Sequence, residues 1–386
     1  MKRWILALVV LAGCGKPLYE SNPGSSTGSS GSTGVSQDLV VTGTRRAPNV
    51  MFVVDRSGSM ADSPDGSQAS VCTGMTGQHD LNCKWQQLLT VMAGDGSSAE
   101  PGYVQQMQDS LSSAAGEPAQ LGLITFSGGN DACEVGVVQQ AIAPNSASTI
   151  DSVLATIEPL GATPTAATLA VAGQNLQAAP DSVGRDSYVV LLTDGAPNCD
   201  ANFQVSGENC LEGTQACASE GACFNADGSP QSPQTPLGCL DEEASVAAVQ
   251  NLHDNGINTF VIGFGADFAD TNNLANDTLN KMALAGGEAL STSGGLTGTS
   301  FYRASSAADL ASSLGDVAGA LQNRCSFRLS QAAPETISAA KVQSGNDTIS
   351  IDFGSMLLSA DRMSVTLSDS VCQQVMGSQV TFRFTP

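Results

Sequence analysis

The sequence predicts an α/β fold: a doubly wound, mostly parallel sheet with one antiparallel edge strand, followed by a small C-terminal all-β module. Three observations predict it. Near-continuous apolar runs at 50–54, 121–126, 188–192 and 259–264 alternate with helical patterns, which is how strands covered on both faces read. The run at 135–142 follows 121–126 across a short Gly/Asn loop, so these two form a hairpin and one strand is antiparallel. After residue 323 the helical periodicity stops, and short alternating runs at 326–329, 348–353, 363–367 and 379–384 replace it.

Taken in order, the chain opens with Lys2 and Arg3 ahead of an apolar run, 4–12, that closes in Leu11-Ala12-Gly13-Cys14. A bilayer span needs roughly 20 apolar residues, so the run is too short to cross one. A charged start followed by such a run reads as a secretory signal peptide, residues 1–13. Its close resembles the lipobox of bacterial lipoproteins, which implies that Cys14 is the first mature residue and carries acyl chains. At about 0.8 kcal/mol per buried CH2, several chains make a durable anchor to a bacterial membrane on its extracytoplasmic side. Residues 14–46 then read as the lipidated Cys and a Gly/Ser-rich tether. Gly24-Ser25-Ser26-Thr27-Gly28 matches the hydrolase G-x-S-x-G pattern by chance, because no strand precedes it and no helix follows.

The α/β domain is expected over 47–323, with helical patterns at 85–93, 104–114, 147–157, 166–178, 242–255, 273–285 and 307–321. Two connections are unusually long, 61–82 and a Cys-rich insert, 196–240; loops of that length are functional or stapled. The last 63 residues, 324–386, form a module too small to be robust alone, and a Cys325–Cys372 bridge would close most of it.

Charge and cysteines narrow the setting. The formal charge of −22 comes without any Lys/Arg cluster after residue 3, which argues against a nucleic-acid partner. Of eleven Cys, removing Cys14 leaves an even set: Cys72, Cys83, Cys133, Cys199, Cys210, Cys217, Cys223, Cys239, Cys325 and Cys372. In an oxidising compartment these are disulfide candidates. A zinc cluster within the insert is disfavoured, since its Cys show no C-x2-C pair and no His lies near. The first eight are expected around one edge of the sheet.

The chemistry concentrates at strand ends. Asp55, Ser57 and Ser59 follow the run 50–54, Asp194 follows 188–192, and Thr163 lies between them in Gly161-Ala162-Thr163-Pro164-Thr165. Carboxylate and hydroxyl oxygens are hard ligands of the kind Mg2+ takes, with Ca2+ or Mn2+ as alternatives. This ordered set resembles the metal-ion-dependent adhesion site of the von Willebrand factor A fold, over about 48–323. The resemblance implies direct ligation by Ser57, Ser59 and Thr163, with Asp55 and Asp194 acting through water. It also implies a protein or peptide partner whose Asp or Glu completes the metal's coordination. Gly58 and Gly195 are expected to let the backbone turn closely beneath the ion, and Thr165 to cap the following helix.

An enzymatic reading needs a base or nucleophile pair, and the chain has only His79 and His253. Neither stands in a His-carboxylate-nucleophile order, so metal-dependent hydrolysis ranks below binding, and no catalytic residue is expected. A non-catalytic envelope scaffold, with metal serving stability alone, is the first alternative to binding and ranks above hydrolysis.

Overall fold

The computed structural model describes residues 38–67, 71–72, 83–94, 101–128, 133–181, 184–199, 240–269, 274–290, 298–375 and 379–386. The chain passes from β1 (Leu39–Arg46) through Ala47 and Pro48 into β2 (Asn49–Asp55). Then come α1 (Lys84–Ala93), α2 (Tyr103–Ala115), β3 (Gln120–Phe126), β4 (Val137–Pro144), α3 (Ala147–Leu154), α4 (Thr165–Gln177) and β5 (Ser187–Thr193). After these follow α5 (Glu242–Asp254), β6 (Ile257–Phe264), α6 (Leu274–Ala285), β7 (Tyr302–Ala304) and α7 (Ala307–Asn323).

Six of these strands form a sheet in the order β4-β3-β2-β5-β6-β7, parallel throughout except for β4 at one edge. Successive side chains of a strand point to opposite faces, and β2 shows the consequence. Val50, Phe52 and Val54 pack with α1, α2, α3 and α7 on one face. Met51 and Val53 pack with α4, α5 and α6 on the other. Burial on both faces is why the strand reads as a continuous apolar run. Because β2, β3 and β5 are parallel neighbours in register, their last residues Asp55, Phe126 and Thr193 reach one edge together. In open α/β sheets that C-terminal edge, beside a change in winding direction, is where ligands bind.

The remaining elements are β8 (Cys325–Leu329), β9 (Ala339–Ser344), β10 (Asp347–Ile351), β11 (Met356–Leu358), β12 (Ser364–Leu367), α8 (Asp369–Cys372) and β13 (Gln379–Thr385). With β1 they form a seven-stranded antiparallel sheet, β10-β9-β13-β1-β8-β12-β11. This corrects two expectations. The segment 39–46 is not tether but a central strand, hydrogen-bonded to β13 on one side and β8 on the other. The module is also not helix-free, since the short α8 carries Cys372. The place of β1 rests on Val41, which is buried in the module's core, and on Gly43. A Cβ at Gly43 would stand 2.5 Å from the Phe382 ring, so only glycine lets Phe327 and Phe382 pack edge to face there, 5.5 Å apart.

The described residues belong to one unit, Gln37–Pro386, in which the α/β domain is an insertion between two paired strands of the second sheet. Polar clamps join the two parts. The Arg46 guanidinium donates to Glu117 (2.8 Å) and Asp181 (2.6 Å), and Arg185 donates to the Ala47 carbonyl (2.6 Å). Ser326 donates to Asp186 at 2.6 Å, and Arg324 grips Glu288 with two nitrogens while lying over the Tyr188 ring.

Disulfides join Cys72 to Cys83 and Cys133 to Cys199, pairings the sequence left open, and Cys325 to Cys372, the one pairing expected. Cys14, Cys210, Cys217, Cys223 and Cys239 lie outside the described residues, as do the signal peptide, residues 14–37 of the tether, His79 and most of the 196–240 insert. Among the described residues no helix is long and apolar enough to cross a membrane.

Candidate metal centre

The turn after β2 begins with Asp55, whose carboxylate is fully buried. Its Oδ1 accepts the backbone N–H of Ser57 at 2.7 Å, which folds the chain back over the strand end. Its Oδ2 accepts the Thr193 hydroxyl at 2.7 Å, tying β2 to β5. A one-turn 3-10 helix, Gly58–Ala61, then presents the Ser59 hydroxyl 3.1 Å from the Ser57 hydroxyl. Ser59 in turn donates to Asp194 Oδ1 at 2.9 Å. Four of the five expected ligand residues, Asp55, Ser57, Ser59 and Asp194, are thus brought into one hydrogen-bonded group.

The fifth, Thr163, arrives by backbone contacts. The Gly58 N–H donates to the Gly161 carbonyl at 3.0 Å, which seats the 161–163 loop against the serine turn. Thr163 is itself held from both sides by Asn198, which accepts the Thr163 N–H on its side chain (2.7 Å) and donates its own N–H to the Thr163 carbonyl (3.0 Å). The disulfide Cys133–Cys199 fixes the residue next to Asn198, so the hairpin tip after β3 braces the same loop.

One local expectation fails. Thr165 is the first residue of α4 and caps nothing: Pro164 occupies the cap position, and the Thr165 hydroxyl points back to the Thr163 carbonyl at 3.4 Å. At Gly58 and Gly195 the protein's own atoms leave room for a Cβ. A Cβ at Gly58 would meet the Gly161 carbonyl at an ordinary 3.6 Å, and one at Gly195 would meet nothing within 4 Å.

The donor set fits a hard divalent cation. Mg–O bonds of about 2.0–2.1 Å in an octahedron place neighbouring oxygens about 2.9 Å apart. The Ser57–Ser59 oxygen separation, 3.1 Å, is close to that length, and Asp194 stands behind the hydroxyls, accepting from Ser59 at 2.9 Å. Electrostatics agree: burial, and then the neighbouring charge of Asp194, push the Asp55 carboxyl up to about 7. Two buried carboxylates side by side oppose each other's ionisation, and a cation between them relieves both effects. Among the described residues no group of three or more His, Cys, Asp or Glu is gathered. Hydroxyls therefore supply much of this set.

Sequence reasoning missed three participants. Thr193 orients Asp55, and Asn198 brackets Thr163; each stands within four residues of Asp194, but their side-chain directions are not written in spacing. Lys84 is the third. Its buried ammonium lies 2.5 Å from Asp194 Oδ2, delivered by the first residue of α1. His253, by contrast, lies on α5 bonded to Asn258 (2.8 Å), at the opposite edge of the sheet.

No family model matches the chain, and no curated protein matches it. Solved structures show distant likeness. The pilus adhesin SpaC from Lactobacillus rhamnosus GG is 14% identical, over 90% of this chain and 41% of that one, with a TM-score of 0.42. The PilB minor pilin from Streptococcus sanguinis is 19% identical, over 72% and 62%, with a TM-score of 0.45. A von Willebrand factor type A protein from Catenulispora acidiphila is 14% identical, over 90% and 60%, with a TM-score of 0.40. The chain thus spans less than two thirds of each, and likeness this distant says nothing about binding or chemistry. The protein is thus a doubly wound α/β domain, joined to a second antiparallel sheet, with an oxygen-donor cluster at the C-terminal edge of its parallel sheet.

Proposed function

We propose that this chain is a von Willebrand factor A type binding protein, held to a bacterial envelope by lipid on Cys14. In this reading it captures a protein or peptide carboxylate through Mg2+ in adhesion or envelope assembly. The observation that supports it is the linked donor set Asp55, Ser57, Ser59 and Asp194, with oxygen spacings of 3.1 and 2.9 Å at a sheet edge suited to ligands. Ser57, Ser59 and Thr163 would hold the ion, and Asp55 and Asp194 would orient its water. Neutral hydroxyls leave the ion most of its charge, so it favours an anionic sixth ligand.

The reading is tested by affinity capture from envelope extract, with Mg2+ and with chelator. Retention of one partner that is lost on chelation and lost in Asp55→Ala supports it; capture indifferent to both contradicts it. The anchor is tested separately, since Cys14→Ser should release the protein into the soluble fraction. A membrane-bound Cys14→Ser protein rejects the anchor alone.

The scaffold alternative draws on one observation, the Lys84 ammonium, which gives Asp194 a cation without any metal. A scaffold of that kind shows no metal-dependent capture.

A further inference from the structure

The contact between Lys84 and Asp194 has a geometry that divides the carboxylate's two oxygens between two roles. Asp194 Oδ1 faces the serine turn and accepts the Ser59 hydroxyl at 2.9 Å, whereas Oδ2 faces away from it and meets Lys84 Nζ at 2.5 Å. Both side chains are nearly inaccessible, at 5% and 1% exposure, so the pair is a buried one and weakly screened. Lys84 is placed by three constraints. It is the first residue of α1; the preceding Cys83 is stapled to Cys72 and accepts the Gln86 N–H on its sulfur; and the Lys84 N–H donates to the Asp62 carbonyl at 2.9 Å. Its stem runs over Gly265 at the end of β6, where an added Cβ would stand 3.2 Å from Lys84 Cδ. A lysine at the positive end of a helix is unfavourable on its own, since the dipole there favours anions. Its position is therefore justified by the carboxylate it meets.

We propose that Lys84 is a built-in counter-cation of the centre: it fixes Asp194 through Oδ2, leaves Oδ1 on the side of the serine turn, and cancels one of the two carboxylate charges. The inference rests on the Mg2+ reading of the site and adds what sets its charge. With Asp55 and Asp194 alone a bound Mg2+ would be neutralised. With Lys84 present the loaded centre keeps one net positive charge, which is what an incoming carboxylate requires. The cost is weaker hold on the metal, because the ammonium repels it across a low-dielectric interior. Lys84 is thus a positioning and charge-setting residue, and the site exchanges some metal affinity for ligand attraction.

The test is calorimetric titration of MgCl2 into the full-length protein and its Lys84 variants, with thermal denaturation of each metal-free protein alongside. Lys84→Met removes the charge at similar volume and should tighten Mg2+ binding by roughly tenfold or more, at interaction strengths expected for charges this close. Metal-free Lys84→Met should also melt lower, because it leaves Asp194 buried without its cation. Lys84→Gln retains a donor to Asp194 without the charge and serves where Met does not fold; it too should bind Mg2+ more tightly. Lys84→Arg keeps the charge and should match the wild type. Unchanged or weaker Mg2+ binding by the folded, uncharged variants overturns the role of Lys84 while leaving the metal site standing. Absence of Mg2+ binding in both wild type and uncharged variants overturns the metal reading and this inference together. Binding by the uncharged variants alone supports the counter-cation and removes the Mg2+-dependent function.

Discussion

At the scale of single residues, the centre is built from side chains whose folded environment opposes their ordinary behaviour. Asp55 is the clearest case: it is buried, it faces Asp194, and its carboxyl is pushed up to about 7. Asp55→Asn should therefore act with opposite signs on two quantities. The metal-free protein should melt higher at pH 8, because a buried charge is gone, while Mg2+ affinity falls at least severalfold; unchanged Mg2+ affinity would show that Asp55 does not serve the metal. A second carboxyl, Asp151 on α3, is raised to about 7 by burial, and its buried Oδ1 has no hydrogen-bond partner. The sign follows from linkage: a carboxyl harder to ionise folded than unfolded costs nothing at acid pH, and destabilises progressively as pH rises from the usual 3.8 towards 7. Solvent screens this half-buried group, so the effect is a fraction of the full shift. Asp151→Asn should raise the melting temperature at pH 8 and leave it nearly unchanged at pH 4. Equal gains at both values would show that ionisation of Asp151 is not the cause.

At the scale of elements, what was legible in the sequence tracks how fully each element is buried. The strands β2, β3, β5 and β6 are enclosed on both faces, so nearly every residue had to be apolar and the runs stood out. The oxygen-donor turn was equally plain, because Asp55, Ser57 and Ser59 follow directly on such a strand. β1 was hidden, since its inward positions are Val41 and Gly43, and a glycine chosen for its lack of bulk looks like linker. β9 was hidden likewise, as its buried residues Ala340, Val342 and Ser344 form a weak apolar pattern. Lys84 escaped for a different reason: its partner is 110 residues away, and only the sheet order brings α1 over the end of β5. The element-level test concerns the second sheet, where Cys325 on β8 and Cys372 on α8 close a loop of 47 residues. Replacing both by Ser should lower stability by about 4 kcal/mol on the chain-entropy account, read from denaturant unfolding. A loss well under 1 kcal/mol would mean that Phe327, Phe382 and Phe384 hold the sheet without the staple.

At the scale of the whole molecule, the order of strands decides where the donor cluster lies. The α/β domain is inserted between β1 and β8, which pair side by side, so its two ends are fixed together at the foot of the sheet, away from the donor cluster. Arg46, Arg185, Glu117 and Asp181 lock that foot. A chain beginning at residue 47 should consequently lose more than a tether: it removes the central strand of the second sheet, and limited proteolysis should then cut after residue 323 where the longer chain resists. Resistance equal to that of the longer chain would show the sheet independent of β1. At the opposite end, β2 leads from the foot straight into Asp55, Ser57 and Ser59, placing the cluster at the far edge of a rigid frame. The proposed function requires that this cluster hold a divalent cation. Calorimetric titration of MgCl2 into the purified full-length chain tests it most directly: one ion should bind per chain, and binding should vanish in Ser57→Ala/Ser59→Ala. A wild type that takes up no Mg2+, or a double variant that binds it as well as the wild type, would contradict the account.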